Sequence, residues 1–184
     1  VLSIDAMGGD LGVPAVISGM QIFSKKNQNV RFIIHGDEAQ IKPLLLKRPT
    51  LSARCEIRHC DEAVGMEDKP SQVMRHGQNT SMWSCIDAVR DKQAEVAISC
   101  GNTGALMAVA MIRLRKAPGV NRPAIAILWP SDNPQGSNVM LDVGADIRAE
   151  ASDLLQYALM GASYARNGLS VDRPRIGLLN VGTE

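Results

Sequence analysis

The sequence predicts an α/β fold in which a mainly parallel sheet carries helices on both faces. Short apolar runs alternate along the chain with helical patterns of about 10 to 18 residues, which is the order of βαβ units. Apolar residues make up 45% of the 184 residues but aromatic residues only 3%, so aliphatic and methionine side chains must form the core. The formal net charge is +1. This charge balance and the scarcity of aromatic side chains argue against a nucleic-acid-binding protein.

Turn and capping residues set the boundaries of the predicted elements. Pro14 stands in the first turn of a helical pattern, and Asn167-Gly168 ends the last one. The turn-prone linker 130–136 separates two apolar runs and predicts an antiparallel hairpin. Strands are predicted at residues 1–4, 30–34, 56–59, 96–99, 124–129, 138–143 and 175–181. Helices are predicted at residues 14–24, 40–48, 71–76, 81–91, 103–116 and 149–167, with a polar loop at 61–70.

Residues 95–116 are the most informative segment. The apolar run Val96–Ser99 is typical of a buried strand, and a helical pattern resumes at Ala105. The turn 100–104 between them is rich in small residues and hydrogen-bond donors. Glycine lets backbone N–H groups approach a ligand, and a helix N-terminus favours negative charge, so the segment predicts an anion site. In the alternative interpretation, Thr103 only caps the helix and the glycines only shape a tight turn.

The carboxyl ends of the predicted strands share a polar character. Ligands of parallel α/β sheets bind beyond these ends, and four of the five combine glycine with polar residues. The predicted ends are residues 5–10, 35–37, 100–104, 142–146 and 180–184. We expect residues 1–184 to form one α/β unit. Because the last predicted strand runs directly into the end of the sequence, we expect this unit to be an incomplete N-terminal portion of a longer chain.

Two carboxylates flank a pair of glycines after the first strand. Asp5 and Asp10 are suited to a metal or to orienting a basic side chain, although Asp10 alternatively caps the turn. Gly8 and Gly9 do not complete a dinucleotide-binding motif, and carboxylates would repel a pyrophosphate, so NAD is not expected. The four cysteines form no CxxC pair and are expected to be unpaired, buried thiols. No cofactor and no metal site is therefore predicted.

Basic residues occur in two groups of interest. Lys69 and Arg75 flank a short helical pattern, and the guanidinium of Arg75 is either a clamp for an oxyanion or simply exposed. A second cluster at the far end of the 103–116 helix is either a solvated helix C-terminus or a surface for an acidic partner. It consists of Arg113, Arg115, Lys116 and Arg122. The three histidines have no serine or cysteine partner in the sequence and are interpreted as structural. With no long apolar run and no secretory signal, the sequence predicts an intracellular protein.

Several motifs occur together in one order along the chain. They are Asp5-Ala6-Met7-Gly8-Gly9-Asp10, Lys69-Pro70-Ser71 through Arg75 with Thr80-Ser81-Met82, the run SCGNTGALM at 99–107, Arg122-Pro123-Ala124, LDVGA at 141–145 and LNVGTE at 179–184. Their combination resembles the PlsX-type phosphate acyltransferases over the whole chain. The sequence departs from that family at Cys100, where alanine is usual, at 78–80, where a basic residue and a serine are usual, and at Asp146, where asparagine is common.

The resemblance implies an acyltransferase of bacterial phospholipid synthesis. Such an enzyme moves a fatty acyl group from acyl carrier protein to inorganic phosphate and yields acyl phosphate. The implied fold is similar to phosphotransacetylase and isocitrate dehydrogenase-like α/β enzymes. The implied protein is a cytoplasmic homodimer that contacts the membrane peripherally through the portion missing here. Its expected partners are therefore the carrier protein, phosphate and a second subunit, but not nucleic acid.

The chemistry of this reaction selects the expected site residues. Phosphate attacks a thioester directly, so the enzyme must orient phosphate and donate hydrogen bonds to an oxyanion, and a thiolate leaves without a strong acid. The residues expected to act in catalysis are Asn102, Thr103 and Arg75. Those expected to bind phosphate or the acyl group are Asp5, Gly8, Gly9, Asp10, Lys69, Ser81, Ser99, Gly101, Gly104, Asp142, Gly144 and Asn180. A phosphotransacetylase-like enzyme that uses acyl-CoA and a noncatalytic phosphate- or lipid-binding domain remain as alternatives.

Overall fold

The computed structural model describes residues 1–143 and 149–179. Backbone contacts divide the chain into two compact units, Val1–Arg115 and Lys116–Glu184, and each is described by itself. The strands of the first unit are β1 (Leu2–Asp5), β2 (Phe32–Gly36), β3 (Cys55–His59) and β4 (Val96–Ser99). Its helices are α1 (Gly12–Lys26), α2 (Glu38–Leu46), α3 (Pro49–Ser52), α4 (Pro70–His76), α5 (Ser81–Arg90) and α6 (Thr103–Leu114), with a 3-10 turn at Gly77–Asn79. That residues 1–184 form a single α/β unit stays a prediction.

The four strands of the first unit form the predicted parallel sheet. Their order is β3-β2-β1-β4, so β1 lies inside the sheet between β2 and β4. Asp5 at the end of β1 pairs with His35 of β2 and with Ser99 of β4. This register brings the carboxyl ends of three strands to the same level.

Helices cover both faces of this sheet, as the sequence predicts. On one face Ile4 of β1 packs with Ile17 of α1 and Ile41 of α2, and both helix residues are fully buried. On the other face Ile33 of β2 packs with Ala88 of α5. The strand alternation sends neighbouring residues to opposite faces, so the residues that flank Ile4 on β1 face α5. The core is almost entirely aliphatic, in agreement with the composition.

Helices α4, α5 and α6 share a second core on the α5 face. Val73, Met82 and Val109 each contribute a buried side chain to it. Two of these helices begin at side-chain caps: the Thr80 hydroxyl accepts from the first turn of α5, and the Asn102 amide oxygen accepts from that of α6. The shared core and the two caps therefore fix the positions of the loops that precede α5 and α6.

The second unit contains the predicted hairpin and a long helix. Strands β5 (Ala126–Pro130) and β6 (Ser137–Leu141) are antiparallel, and α7 (Ala151–Leu169) follows. The side chain of Asn133 stabilises the turn, because its amide oxygen accepts from the Ser137 N–H and its amide nitrogen donates to the Ser137 carbonyl. Across the described ranges, no helix combines the length and apolar composition required to cross a membrane.

The predicted strand at 175–181 is wrong for its described part. Residues 174–179 adopt no regular secondary structure, and Ile176 and Leu178 are 59% and 74% exposed. A strand persists only when neighbouring backbone completes its hydrogen bonds, and these described residues pair with no other strand. Residues 180 and 181 lie outside the described part of the chain. Helix α6 also ends earlier than predicted, at Leu114, because Arg115 adopts a left-handed conformation (φ 64°).

Candidate functional site

The carboxylate of Asp5 joins three segments at the carboxyl end of the sheet. This residue is only 2% exposed. Its Oδ1 accepts a hydrogen bond from the Ser81 hydroxyl at 2.6 Å, and its Oδ2 accepts one from the Ser99 hydroxyl at 2.6 Å. The backbone N–H of Met7 also donates to Oδ1, at 3.2 Å. These donors compensate the burial of the carboxylate, which thereby connects β1 to the end of β4 and to the start of α5.

The two serines are consequently part of the scaffold in this structure. Each directs its only hydroxyl proton to Asp5, and Ser81 is fully buried. Ser99 also accepts from the backbone N–H of Gly101 at 3.1 Å, which extends the connection into the turn after β4. Binding of substrate by Ser81 and Ser99 stays a prediction, and the structure brings both together with Asp5.

Two glycines allow the loop after β1 to lie directly on the turn after β4. A Cβ at Gly8 would lie 2.7 Å from Oδ2 of Asp5 and 2.9 Å from the backbone nitrogen of Gly101. Gly9 has a φ of 87°, and a Cβ there would lie 2.7 Å from the carbonyl oxygen of Cys100. A side chain at either position would push the two loops apart, so the Gly-Gly pair is required by close backbone approach.

Asn102 connects the same turn to the segment before α4. Its Oδ1 accepts from the N–H of Ala105 at 3.0 Å and caps α6. Its Nδ2 donates to the carbonyl oxygens of Met66 and Asp68, both at 2.9 Å, with a longer contact of 3.3 Å to that of Gly65. The amide predicted to donate to a substrate thus already donates to the protein backbone.

The start of α6 retains open donors. Within the described residues, the backbone N–H groups of Thr103 and Gly104 have no hydrogen-bond acceptor, and the Thr103 side chain is exposed. A Cβ at Gly104 would lie 3.0 Å from Cγ of Pro70, so this glycine also lets α4 pack against α6. A bulky substitution of Gly104 would therefore disturb packing as well as ligand approach.

The predicted cations lie on the surface of the first unit. Lys69 precedes α4, Arg75 lies within it, and both are exposed. Neither forms an ion pair within the described residues. Asp10 is likewise exposed in the loop after β1. Lys69 lies next to Pro70 and thus beside the start of α6, whereas Arg75 lies in the last turn of α4.

Beneath Asp5, a buried polar network that the sequence analysis did not identify connects the sheet to α5. The Ser3 hydroxyl donates its proton to the carbonyl of Cys85 at 2.8 Å. Its oxygen can therefore only accept from Nε2 of His35, 2.9 Å away, and we assign the ring proton to Nε2 for that reason. The Ser84 hydroxyl then donates to Nδ1 of His35 at 2.7 Å. Burial, reinforced by nearby Arg58, lowers the pKa of His35 from 6.5 to about 4. As predicted, His35 is structural, and it is neutral near pH 7.

A signal for this network is nevertheless present in the sequence. Ser3 and Asp5 are two residues apart on one strand, so they share a face of the sheet. Ser81, Ser84 and Cys85 recur at helical spacing, so they form one stripe of α5. A polar strand face opposite a small, polar helix stripe indicates a buried hydrogen-bonded contact.

The cysteines are all unpaired, as expected. Burial raises the pKa of the Cys55 and Cys85 thiols to about 11 and also raises that of Cys60, so these three are poor nucleophiles. Cys100 differs because it is exposed in the turn after β4. The expectation that all four cysteines are buried is therefore correct for Cys60 and Cys85 and wrong for Cys100, while Cys55 is only half-buried.

The remaining predicted ligands belong to the second unit. Asp142 follows β6 in a left-handed conformation (φ 61°), and its backbone N–H donates to the Ile125 carbonyl at 2.8 Å. Gly144, Asp146 and Asn180 lie outside the described residues. The role of these positions in binding stays a prediction.

The predicted basic cluster does not act as one group of free charges. Arg113 donates to both carboxylate oxygens of Asp87, at 2.6 and 3.0 Å, and lies 5.4 Å from the Trp83 ring centroid. Its guanidinium therefore stabilises the contact between α5 and α6. In the second unit, Lys116 donates to the carbonyl of Asn121 at 2.6 Å.

The comparisons with known proteins agree on one family. The family described as "Fatty acid synthesis protein" matches residues 1–184. Phosphate acyltransferases of Cereibacter sphaeroides, Jannaschia sp. and Paracoccus denitrificans are 70%, 68% and 64% identical to the chain over 184 residues. Each alignment covers 100% of this chain and 50% of the relative. The chain therefore spans about half the length of the curated relatives it matches.

Proposed function

Because the chain belongs to the fatty acid synthesis protein family, we propose that it is part of a phosphate acyltransferase that moves a fatty acyl group from acyl carrier protein to inorganic phosphate. The observation that carries this proposal is the 70% identity of the whole chain to a phosphate acyltransferase. The paired glycine loops at the carboxyl end of the sheet support it, since such loops suit a small anion.

The proposed reaction is a direct transfer. A phosphate oxygen attacks the thioester carbon, and the tetrahedral oxyanion collapses to acyl phosphate while the carbon–sulfur bond breaks. The proton that hydrogen phosphate loses when the new carbon–oxygen bond forms passes through water to the departing thiolate. Since a free thiol has a pKa near ~8.5, this departure requires no strong acid and no acyl-enzyme. The backbone N–H groups of Thr103 and Gly104, together with the Thr103 hydroxyl, are the open donors for phosphate or the oxyanion.

The remaining residues are assigned supporting roles. Lys69 and Arg75 supply positive charge to phosphate, while Asp5 holds the two glycine loops in register through Ser81 and Ser99. Within the described residues, no histidine is hydrogen-bonded to Cys100: the ring of His35 contacts Ser3 and Ser84, and that of His59 contacts Asp61. Direct attack by phosphate is consistent with that arrangement.

The proposed partners follow from the same reaction. Acyl carrier protein is acidic, so a basic surface steers its approach, and Arg115 is an exposed candidate in the first unit. A homodimer in the cytoplasm with peripheral membrane contact remains part of this proposal. The membrane contact suits an enzyme whose product is an acyl phosphate for phospholipid synthesis.

One assay on the full-length protein tests the proposed function. The enzyme is incubated with labelled inorganic phosphate and either acyl carrier protein thioester, acyl-CoA or acetyl-CoA, and labelled acyl phosphate is separated chromatographically. We expect labelled acyl phosphate, with the carrier thioester as the preferred donor. Preference for acetyl-CoA would instead indicate a phosphotransacetylase-like enzyme. Phosphate binding without any product would indicate a noncatalytic domain.

A further inference from the structure

The side chain of Asn102 fastens the segment before α4 to the start of α6. Its Nδ2 donates to the carbonyl oxygens of Met66 and Asp68, at 2.9 Å each, while its Oδ1 caps α6 through Ala105. The amide nitrogen of Asn102 therefore holds the segment before α4, while its amide oxygen caps α6. Only the donor half of the amide contacts the segment 65–68. This segment is also closed by a hydrogen bond from the Gly65 N–H to the Asp68 carboxylate at 2.8 Å and by one from the Asp68 N–H to the Gly65 carbonyl at 3.2 Å.

This fastening acts directly on the backbone of Lys69. The Asp68 carbonyl belongs to the peptide bond that leads into Lys69, and the Lys69 carbonyl accepts from the N–H groups of Gln72 and Val73 at the start of α4. On the other side of Lys69, Pro70 contacts the position where Gly104 lacks a side chain. The Lys69 backbone is thus held on both sides, next to the open N–H groups of α6.

The side chain of Lys69, by contrast, is uncommitted. It is exposed, and no acidic group among residues 1–143 and 149–179 lies within ion-pairing distance of it. Ordering the backbone of a residue whose cation has no acidic partner, beside open backbone donors, has a cost in conformational entropy. A bound anion would offset that cost by accepting from both.

We propose that Asn102 is a positioning residue: by fixing the Asp68 carbonyl, it holds Lys69 where its ammonium contacts inorganic phosphate bound at the start of α6. The inference rests on the proposed function for the identity of the anion. It differs from the role expected for Asn102 at first, because the amide acts through Lys69 and does not donate to the reacting atoms.

One substitution separates capping from positioning. In Asn102→Asp the carboxylate still accepts from Ala105 and suits the helix N-terminus, so α6 remains capped. However, the variant lacks the Nδ2 donor and faces the carbonyl oxygens of Met66 and Asp68 with negative charge. The matched controls are Asn79→Asp and Lys47→Met, at exposed positions outside the site.

Binding of inorganic phosphate by the full-length protein tests the proposal without depending on turnover. Calorimetry on the parent, Asn102→Asp, Lys69→Met and the double variant gives four dissociation constants. Each single variant is expected to weaken phosphate binding roughly tenfold, as for one lost charge-assisted contact. The double variant is expected to lose less phosphate affinity than the product of the two single effects, because the part of the Asn102→Asp effect that acts through Lys69 is absent once Lys69 is replaced. The controls should match the parent.

The outcomes divide clearly. Multiplied effects in the double variant, or unchanged phosphate affinity in Lys69→Met, would overturn the positioning role, as would a parent that does not bind phosphate. If Asn102→Asp does not fold, Asn102→Ser, which keeps a capping oxygen and lacks the amide donor, replaces it in the same comparison. In the acyl phosphate assay, the same variants should raise KM for phosphate more than they lower kcat. Intact phosphate binding with no acyl phosphate formed by the parent would defeat the proposed function and leave this inference standing.

Discussion

Lowering the pH from about 7.5 to about 4.5 should destabilise the first unit through His35. Burial lowers the pKa of this side chain from 6.5 to about 4, and its ring is hydrogen-bonded to Ser3 and Ser84 in the neutral form. Above pH 6.5 both the folded and the unfolded states hold His35 neutral, and its contribution to stability is complete. Between pH 6.5 and about 4, His35 is protonated in the unfolded chain but stays neutral in the folded chain, so the free energy of unfolding falls as the pH falls.

The size of this effect follows from the two pKa values. A difference of about 2.5 pKa units corresponds to about 3 kcal/mol when the titration is complete. About 2.5 kcal/mol of this is lost by pH 4.5, since the folded state is then only partly protonated. Domains are commonly stable by only 5–15 kcal/mol, so the loss is easily measured. Asp37, whose pKa is lowered mainly by the Gln40 side chain, keeps its full contribution to stability above its ordinary pKa of 3.8 and loses it only below that pH, so it does not interfere.

Urea unfolding followed through the fluorescence of buried Trp83 measures the change. The variant His35→Gln keeps a donor toward Ser3 but does not titrate, so it should be less stable than the parent near pH 7. The loss of stability that the parent shows through His35 between pH 6.5 and 4 should be absent from its pH profile. The matched variant His76→Gln, at an exposed position, should retain the parent slope. A parent whose free energy of unfolding is equal at both pH values would refute the reasoning, and so would an unchanged slope in His35→Gln.

Three further predictions concern the site and its surroundings. Gly8→Ala should lower the free energy of unfolding by about 1–3 kcal/mol, because its Cβ would overpack the loop contact. Gly19→Ala in α1, where a Cβ meets nothing, should instead raise it by about 0.5–1 kcal/mol. Urea titrations that rank the two variants the other way would contradict the close loop contact. Cys100→Ala should retain most acyl phosphate formation, and an acyl-enzyme trapped in the parent but absent from this variant would contradict direct attack by phosphate. Arg113→Glu should lower the melting temperature, because it breaks a bidentate ion pair. Arg115→Glu should leave the melting temperature unchanged and slow the reaction with carrier protein at low salt only. Equal rates for the parent and Arg115→Glu at low salt would mean that the carrier docks elsewhere.

Local patterns predicted most of the elements because local interactions form them. The strand Val96–Ser99, the turn after it and the helix beginning at Thr103 lie where the sequence places them. The expectation that this strand is buried is wrong, because it lies at the edge of the described sheet and Val96 and Ile98 are 47% and 40% exposed. The hairpin was likewise predicted from a local pattern, since its turn residues determine how the chain reverses. The strand predicted at 175–181 is wrong over its described residues, 175–179, for the opposite reason. An apolar β pattern is necessary for a strand but not sufficient, because its hydrogen bonds are completed by another segment.

The sequence by itself determined the fold class, the order of elements and the segments that meet at the carboxyl end of the sheet. These depend on apolar periodicity and turn chemistry, which neighbouring residues display. Only the tertiary structure decided which polar groups at that edge remain available to a ligand. Ser81, Ser99 and Asn102 read alike as candidate donors, yet their partners lie 76, 94 and 34 positions away in the chain, on Asp5 and on the carbonyl of Asp68. A hydrogen bond uses up a donor whatever the separation along the chain, so the availability of a donor is a property of the folded molecule.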